Sequence, residues 1–418
     1  MKILITGNGF DLYHNLPTSY NDMIEILSHV VDNKVELLDF EAIYSKSSQY
    51  SRGLKEKYQV FDFDKPKITE LKDLLEQNVW FSYFRKELEI ETWIDFEKKI
   101  EHVLDQSLTL IYELYKKNLF DKSSYSCEMR ADSVTRIEFK DFGNKIVLTE
   151  LLKDFRLIEE NWNHEFTLNE EYLVKKHHYY IDVDFDKISE FLLDELGKFK
   201  LIFKLYFQNI VYPLLESVKT QGESDVFYGV DRHFTFNYTP TFQHFYRTKK
   251  DAEGKGKTRF LHGKIPLEGE SNVVLGINEV PDVEINKTSI IPFTKYFQKL
   301  YNRCDIEFLT EFSEYQNREF EFFWFGHSLD FSDKYYIDEV FKFALNEENS
   351  NETKIYVFYH SDSSRGTLYT NLINIRGQEE IVRLSQINVL QFVQIDSKEF
   401  KELFKDSEYY MKFGRSNV

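Results

Sequence analysis

The chain opens with Lys2-Ile3-Leu4-Ile5-Thr6-Gly7-Asn8-Gly9-Phe10-Asp11. A short run of apolar and β-branched residues ends abruptly in two glycines, the pattern of a buried parallel strand meeting a tight turn. Glycines placed there let the backbone approach a pyrophosphate, whose charge is met by N–H groups at the start of the next helix. The complete GxGxxG fingerprint is absent, because Leu12 stands where the third glycine would be. Any tight turn can use two glycines, so an ordinary turn stays open beside a nucleotide site. Leu16-Pro17-Thr18-Ser19-Tyr20 then supplies a break and a Ser/Thr cap for a helix over 20–31.

Working outward, strand-like runs return at 232–236, 258–261, 273–277, 321–325 and 354–359. Four end in small or polar residues: Asn237-Tyr238-Thr239, His262-Gly263, Gly326-His327-Ser328 and His360-Ser361-Asp362. Strands of this kind with helices between them describe an α/β, Rossmann-like doubly wound parallel sheet, whose ligands bind outside the carboxyl ends of the strands. The polar strand ends and the first glycine turn are expected to line one crevice. From 32 to 215 the apolar residues instead recur at helical spacing, which predicts a large, mainly helical insertion or lid, with a hairpin expected near 134–148. The expected organisation is a nucleotide-binding core over 1–31 and 216–418, interrupted by that insertion.

Composition bounds the chemistry. The 418 residues carry 71 acids against 53 bases, a formal net charge of −18. So acidic a surface repels phosphate backbones and argues against broad nucleic-acid binding. Cys127 and Cys304 are the only cysteines, too few for a four-thiolate zinc site or a disulfide framework. No zinc or other metal is expected, and a reducing cytoplasm is. Apolar runs are too short for a signal peptide or a bilayer span.

The candidate chemistry sits at the strand ends. The Asn237 amide can orient a water or a ribose hydroxyl through paired donors and acceptors. His262 can act as a base near neutral pH. Either residue is also an ordinary occupant of a turn. Gly326, His327 and Ser328 could hold a second phosphate or a ribose, or simply cap a helix together with Asp330 and Asp333. The acids of Trp93-Ile94-Asp95-Phe96-Glu97, with Glu89 and Glu91, suit either acid–base work or the complement of a helix macrodipole.

Taken together and in this order, Gly7-Asn8-Gly9-Phe10-Asp11-Leu12, Leu16-Pro17-Thr18-Ser19-Tyr20, Trp93 to Glu97, Phe236-Asn237-Tyr238-Thr239, His262-Gly263 and Gly326-His327-Ser328-Leu329 resemble the AbiH family of bacterial phage abortive-infection proteins. The resemblance implies an antiphage role, a phage-derived trigger and an infected cell that is arrested or killed. The same set is similar to the sirtuin-like NAD-binding fold, whose Gly-Ala-Gly and Gly-Ile-Pro elements keep the interval seen here between Gly7-Asn8-Gly9 and Asn15-Leu16-Pro17. That likeness implies Asn237 and His262 as catalytic residues. It implies Gly7, Asn8, Gly9, Phe10, Asp11, Thr18, Ser19, Tyr238, Gly263, Gly326, His327 and Ser328 as contacts for NAD, and a homo-oligomer. The departures are Thr18-Ser19-Tyr20 in place of Asp-Phe-Arg, and the loss of the glutamine and aspartate that flank the sirtuin asparagine. These point away from protein deacylation and toward NAD hydrolysis. A non-catalytic NAD or ADP-ribose sensor and a metal-dependent nuclease using Asp95 and Glu97 are the rivals.

Overall fold

The computed structural model describes residues 1–50, 61–87, 93–120, 145–160, 166–176, 179–217, 226–246, 258–280, 287–304, 308, 319–345 and 353–404. The opening run forms β1 (Lys2–Thr6) and leads through Gly7 into a short helix, Asn8–Tyr13. Ser19 caps the next helix, Tyr20–Asp32, by accepting from the Asp22 amide at 3.0 Å. The chain then builds helices at Phe40–Tyr44, Lys65–Gln77, Val79–Lys86, Trp93–Phe120 and Lys145–Asp154. Two small antiparallel hairpins follow, β2 (Ile158–Glu160) with β3 (Phe166–Leu168) and β4 (Leu173–Lys176) with β5 (Tyr179–Val183). A long helix, Phe185–Tyr206, passes through a π turn, Phe207–Val211, into Tyr212–Ser217. The sheet then resumes with β6 (Arg232–Thr235), β7 (Thr258–Phe260), β8 (Phe320–Phe325), β9 (Thr353–Tyr359) and β10 (Leu390–Gln394).

The main sheet has six strands in the order β10-β9-β8-β1-β6-β7, and every neighbouring pair is parallel. Numbered by their sequence within this sheet and read from the β7 edge, the order is 3-2-1-4-5-6, that of the doubly wound fold. The order reverses between β1 and β8, which places the topological switch at the two glycine turns.

Parallel strands need cover on both faces, and alternation within each strand supplies it. Ile3, Ile5, Phe322, Trp324, Ile355 and Val357 point into one buried cluster with the helices Lys334–Leu345, Asp362–Arg376 and Gln378–Gln386. Leu4, Phe323, Tyr356 and Phe358 point into the other. That second cluster runs without a break through Ile26, Trp80, Phe96, Phe199 and Leu214, so the helical insertion shares its core with one face of the sheet. Each such fully buried aliphatic or aromatic side chain contributes about 1.5–3 kcal/mol relative to exposure.

The structure departs from the sequence reading in four places. Residues 273–277 are not a strand. Their side chains are buried, but the Val274 amide donates to the His262 carbonyl, Leu275 to Gln298 and Ile277 to the Phe293 carbonyl, so no ladder forms. The sixth strand, β10, is an addition to the expected set: Leu390-Gln391-Phe392-Val393-Gln394 breaks its apolar run with two glutamines and lies at a sheet edge. The expected hairpin at 134–148 falls mostly outside the described residues, and its end, from Lys145, begins a helix. The hairpins observed lie further on, at 158–183. Among the described residues no helix is long and apolar enough to cross a membrane.

Candidate functional site

A cleft of about 760 Å³ opens at the carboxyl ends of the strands, over the switch point. This volume lies within the roughly 300–1,000 Å³ usual for small-molecule sites. β1 delivers Gly7, Asn8, Gly9 and Asp11 to its wall, β6 delivers Asn237 and Tyr238, and β7 delivers His262. From β8 come Gly326, His327 and Ser328, and from β9 comes His360. All four polar strand ends meet there. Thr18 and Ser19 complete the part of the lining that the sequence picked out.

Two of the expected contacts lie elsewhere. Phe10 is packed into the core among Phe227, Phe242, Phe325 and Tyr246. Gly263 sits behind His262 with φ +83°, and a Cβ there would lie 2.0 Å from the Asn272 carbonyl oxygen, so only glycine closes the turn that presents the histidine.

The glycine turns hold each other. The Gly7 amide donates to the Phe325 carbonyl at 3.0 Å, and the Gly9 amide donates to the Gly326 carbonyl at 2.7 Å. Gly326 has φ +67°, and a Cβ on it would lie 2.3 Å from the Phe10 nitrogen. The glycines therefore first serve to bring β1 and β8 together backbone to backbone. Their amides are committed to that contact and are not free to receive a phosphate.

The titratable groups form two clusters. In the first, Asp11 is buried, and its Oδ2 accepts from the Thr239 hydroxyl at 2.6 Å while Thr241 donates to Thr239. Burial pushes the Asp11 carboxyl up to about 6, against the lowering effect of Thr239, Thr241 and Asn237.

In the second cluster Asp333 lies between two histidines. Its Oδ1 is 3.2 Å from His262 Nε2, and its Oδ2 is 3.2 Å from His327 Nε2. Burial works against ionisation of Asp333, but His262, His327 and the Lys295 ammonium together hold it well below the ordinary carboxylate range. Burial drives His262 down to about 4, so its imidazole is neutral at pH 7. Beside them Lys295, buried in the wall, pairs with Glu97 at 2.5 Å. Burial raises Glu97 to about 7 even with that ammonium at hand.

Asp11 Oδ1, His262 Nε2, Ser332 Oγ and Asp333 Oδ1 are all buried without a hydrogen-bonding partner. His262 Nε2 and Asp333 Oδ1 nevertheless stand 3.2 Å apart. All four residues line the cleft. Of these, His262 Nε2 and Asp333 Oδ1 face each other, while Asp11 Oδ1 and Ser332 Oγ leave the cleft wall with polar capacity that a ligand can satisfy.

The scaffold that carries this cleft matches a known family. A family described as bacteriophage abortive infection AbiH covers residues 3–359, from β1 to the end of β9. The chain belongs to the AbiH family. No curated protein and no solved structure matches it. The AbiH match spans the strand ends after β1, β6, β7 and β8, and stops one residue before His360 and short of β10.

Three charged residues of this AbiH cleft carried little signal in the sequence. Glu97 reads as an acid in the first turn of a helix, and the side chains of Asp95, Glu89 and Glu91 lie outside the described residues. Lys295 opens the short helix Lys295–Tyr301 and reads as an ordinary surface lysine. Asp333 stood out only as a possible cap. The capping role belongs to Asp330, which accepts from the Ser332 amide at 3.1 Å. Among the described residues no group of three or more His, Cys, Asp and Glu side chains is placed to hold a metal ion.

Proposed function

We propose that this cleft binds NAD and hydrolyses its nicotinamide–ribose bond, so that the chain acts as an abortive-infection effector by destroying NAD. The observation that carries this reading is the convergence of Asp11, Asn237, His262 and Ser328 on one cleft at the switch point of a parallel sheet. The likeness to the sirtuin-like fold supports it, because the strand-end asparagine and histidine of that likeness both line the cleft.

In this reaction the C1′–N bond breaks and nicotinamide leaves with the bonding electrons. Water adds to the oxocarbenium-like ribose, and its proton passes to a base, giving ADP-ribose, nicotinamide and a proton. Asn237 orients the water or the ribose. His262, neutral at pH 7, accepts the proton. Asp11 Oδ1 takes a hydrogen bond from a ribose hydroxyl or from the nicotinamide amide. With the amides of Gly7 and Gly9 already engaged, the diphosphate is met by Asn8 and Ser328.

Purified protein incubated with NAD should release nicotinamide, read by HPLC or mass spectrometry. His262→Ala and Asn237→Ala should each lower the rate by on the order of 10²-fold or more while the fold is retained. Unchanged turnover in both variants overturns the assignment. Tight NAD binding with no product over long incubation would instead identify a sensing module. Loss of a nuclease activity on adding chelator would identify the metal-dependent rival.

A further inference from the structure

The turn after β8 fixes one proton. The Leu329 N–H turns back onto the histidine two residues earlier and donates to His327 Nδ1 at 2.9 Å. An accepting Nδ1 cannot carry hydrogen, so the His327 proton sits on Nε2, which faces Asp333 Oδ2 at 3.2 Å. Asp333 is thereby held at one oxygen, and the other is presented to His262.

The His262 ring is confined as well. Phe236 packs edge-on against it at 5.0 Å and also lies 4.2 Å from the His327 ring, while Tyr336 borders His262 at 6.2 Å. The ring thus stands with Nε2 toward Asp333 Oδ1 at 3.2 Å. A lone pair on Nε2 would set two acceptors against each other at that distance. A hydrogen on Nε2 turns the same approach into an attraction that a small rotation aligns. Such contacts are commonly loose before substrate binds and tighten afterwards.

We propose that Asp333, anchored by His327, is the positioning group for His262: it fixes the imidazole as the Nε2–H tautomer and leaves Nδ1 to take the proton from water or ribose. The proposal rests on the NAD reading above. Asp333 touches no reacting atom. It acts by orienting the base and by stabilising the imidazolium that forms when Nδ1 is protonated, the logic of a catalytic dyad.

The test uses the full chain labelled with ¹⁵N-histidine, with signals assigned by their loss in His262→Asn and His327→Asn. Imidazole nitrogen shifts should report Nε2–H at both residues in the parent protein. Asp333→Asn can turn its NH₂ toward His262 and should invert that ring to Nδ1–H. The same variant should lower kcat for nicotinamide release by on the order of 10²–10⁴-fold with KM little changed. His327→Gln, which can still accept from the Leu329 amide and donate to Asp333, should keep the His262 tautomer and at least about a tenth of kcat. His327→Ala should lose both.

Parental kcat in Asp333→Asn, or an Nδ1–H tautomer at His262 in the parent protein, overturns the proposal. Should Asp333→Asn fail to fold, the parental tautomer and the His327→Gln and His327→Ala pair still decide it. If the parent protein releases no nicotinamide but its tautomers behave as stated, the NAD reading fails and the positioning of His262 by Asp333 stands.

Discussion

Asp11, in the short helix after β1, and Asp333, just ahead of the helix Lys334–Leu345, are both buried carboxyls lining one cleft. Burial acts on both in the same sense, yet they end far apart: Asp11 is raised to about 6, and Asp333 is held well below its ordinary value. What differs is the company. Asp11 has Thr239 and Thr241 hydroxyls and no cation, whereas Asp333 has two imidazoles and the Lys295 ammonium. Depth alone therefore does not decide whether a buried acid ionises. Two acids pushed apart in this way can hold different jobs at one pH, one close to exchanging a proton and the other a fixed negative anchor.

The largest disturbance of this contrast should come from Gly326→Ala, because that residue touches both clusters. It precedes His327 on one side and packs on Gly9, two residues before Asp11, on the other. A Cβ 2.3 Å from the Phe10 nitrogen, on a backbone with φ +67°, forces β1 and β8 apart. The expected loss is roughly 3 kcal/mol or more, read from urea unfolding, together with loss of NAD turnover. A parent-like unfolding midpoint would show that the interlocked turns do not hold the cleft.

A smaller and more selective effect is expected from Lys295→Met, which withdraws the cation from the Asp333 side only. Glu97 is raised from 4.5 to about 7 with Lys295 present, so without it the carboxyl becomes still harder to ionise. The unfolded chain then gives up the Glu97 proton first as pH rises, and stability falls with it. The expected cost is about 2–4 kcal/mol at pH 8 and less at pH 5. Adding Glu97→Leu should recover most of it. Equal losses at the two pH values would show that Glu97 is not what Lys295 supports.

Asp11→Asn should have the mildest effect, and its sign is opposite. With a folded value near 6 against 3.8, the unfolded state ionises first, so stability declines between about pH 4 and pH 6 and stays lower above. A shift of about two pKa units corresponds to on the order of 3 kcal/mol, an upper bound for the gain on removing the charge. The variant should melt with the parent near pH 3 and be about 1–2 kcal/mol more stable at pH 8. A parental melting temperature that does not fall over pH 4–6 would remove the contrast with Asp333.

Much of the fold was open to reading because parallel strands here are short, rich in Ile and Phe, and stop at small polar residues. β1, β6, β7, β8 and β9 announce themselves in this way, and so do Asn237, His262, Gly326 and His360 at their ends. β10 does not, because Gln391 and Gln394 interrupt the apolar run and Ile395, not a small polar residue, follows it. The run 273–277 misled because burial and strand pairing leave the same apolar trace, and only the destination of its amides separates them. The charged half of the cleft stayed hidden for a different reason. Lys295 and Glu97 are about two hundred residues apart in sequence; Glu97 reads as an acid–base candidate or a helix-start acid, and neither reading names Lys295 as its partner. A buried ion pair has no local signature.

The bond between the two glycine turns also bears on how the protein is made. Gly7 and Gly9 are made more than three hundred residues before their partners Phe325 and Gly326. At roughly 5–20 residues per second, their synthesis follows by tens of seconds. Until then β1 has no neighbour on its β8 side, and neither His327 nor Asp333 exists. A nascent or prematurely terminated chain therefore carries no assembled cleft. The cleft is thus a late product of translation, closed only once both ends of its central strand pair have been made.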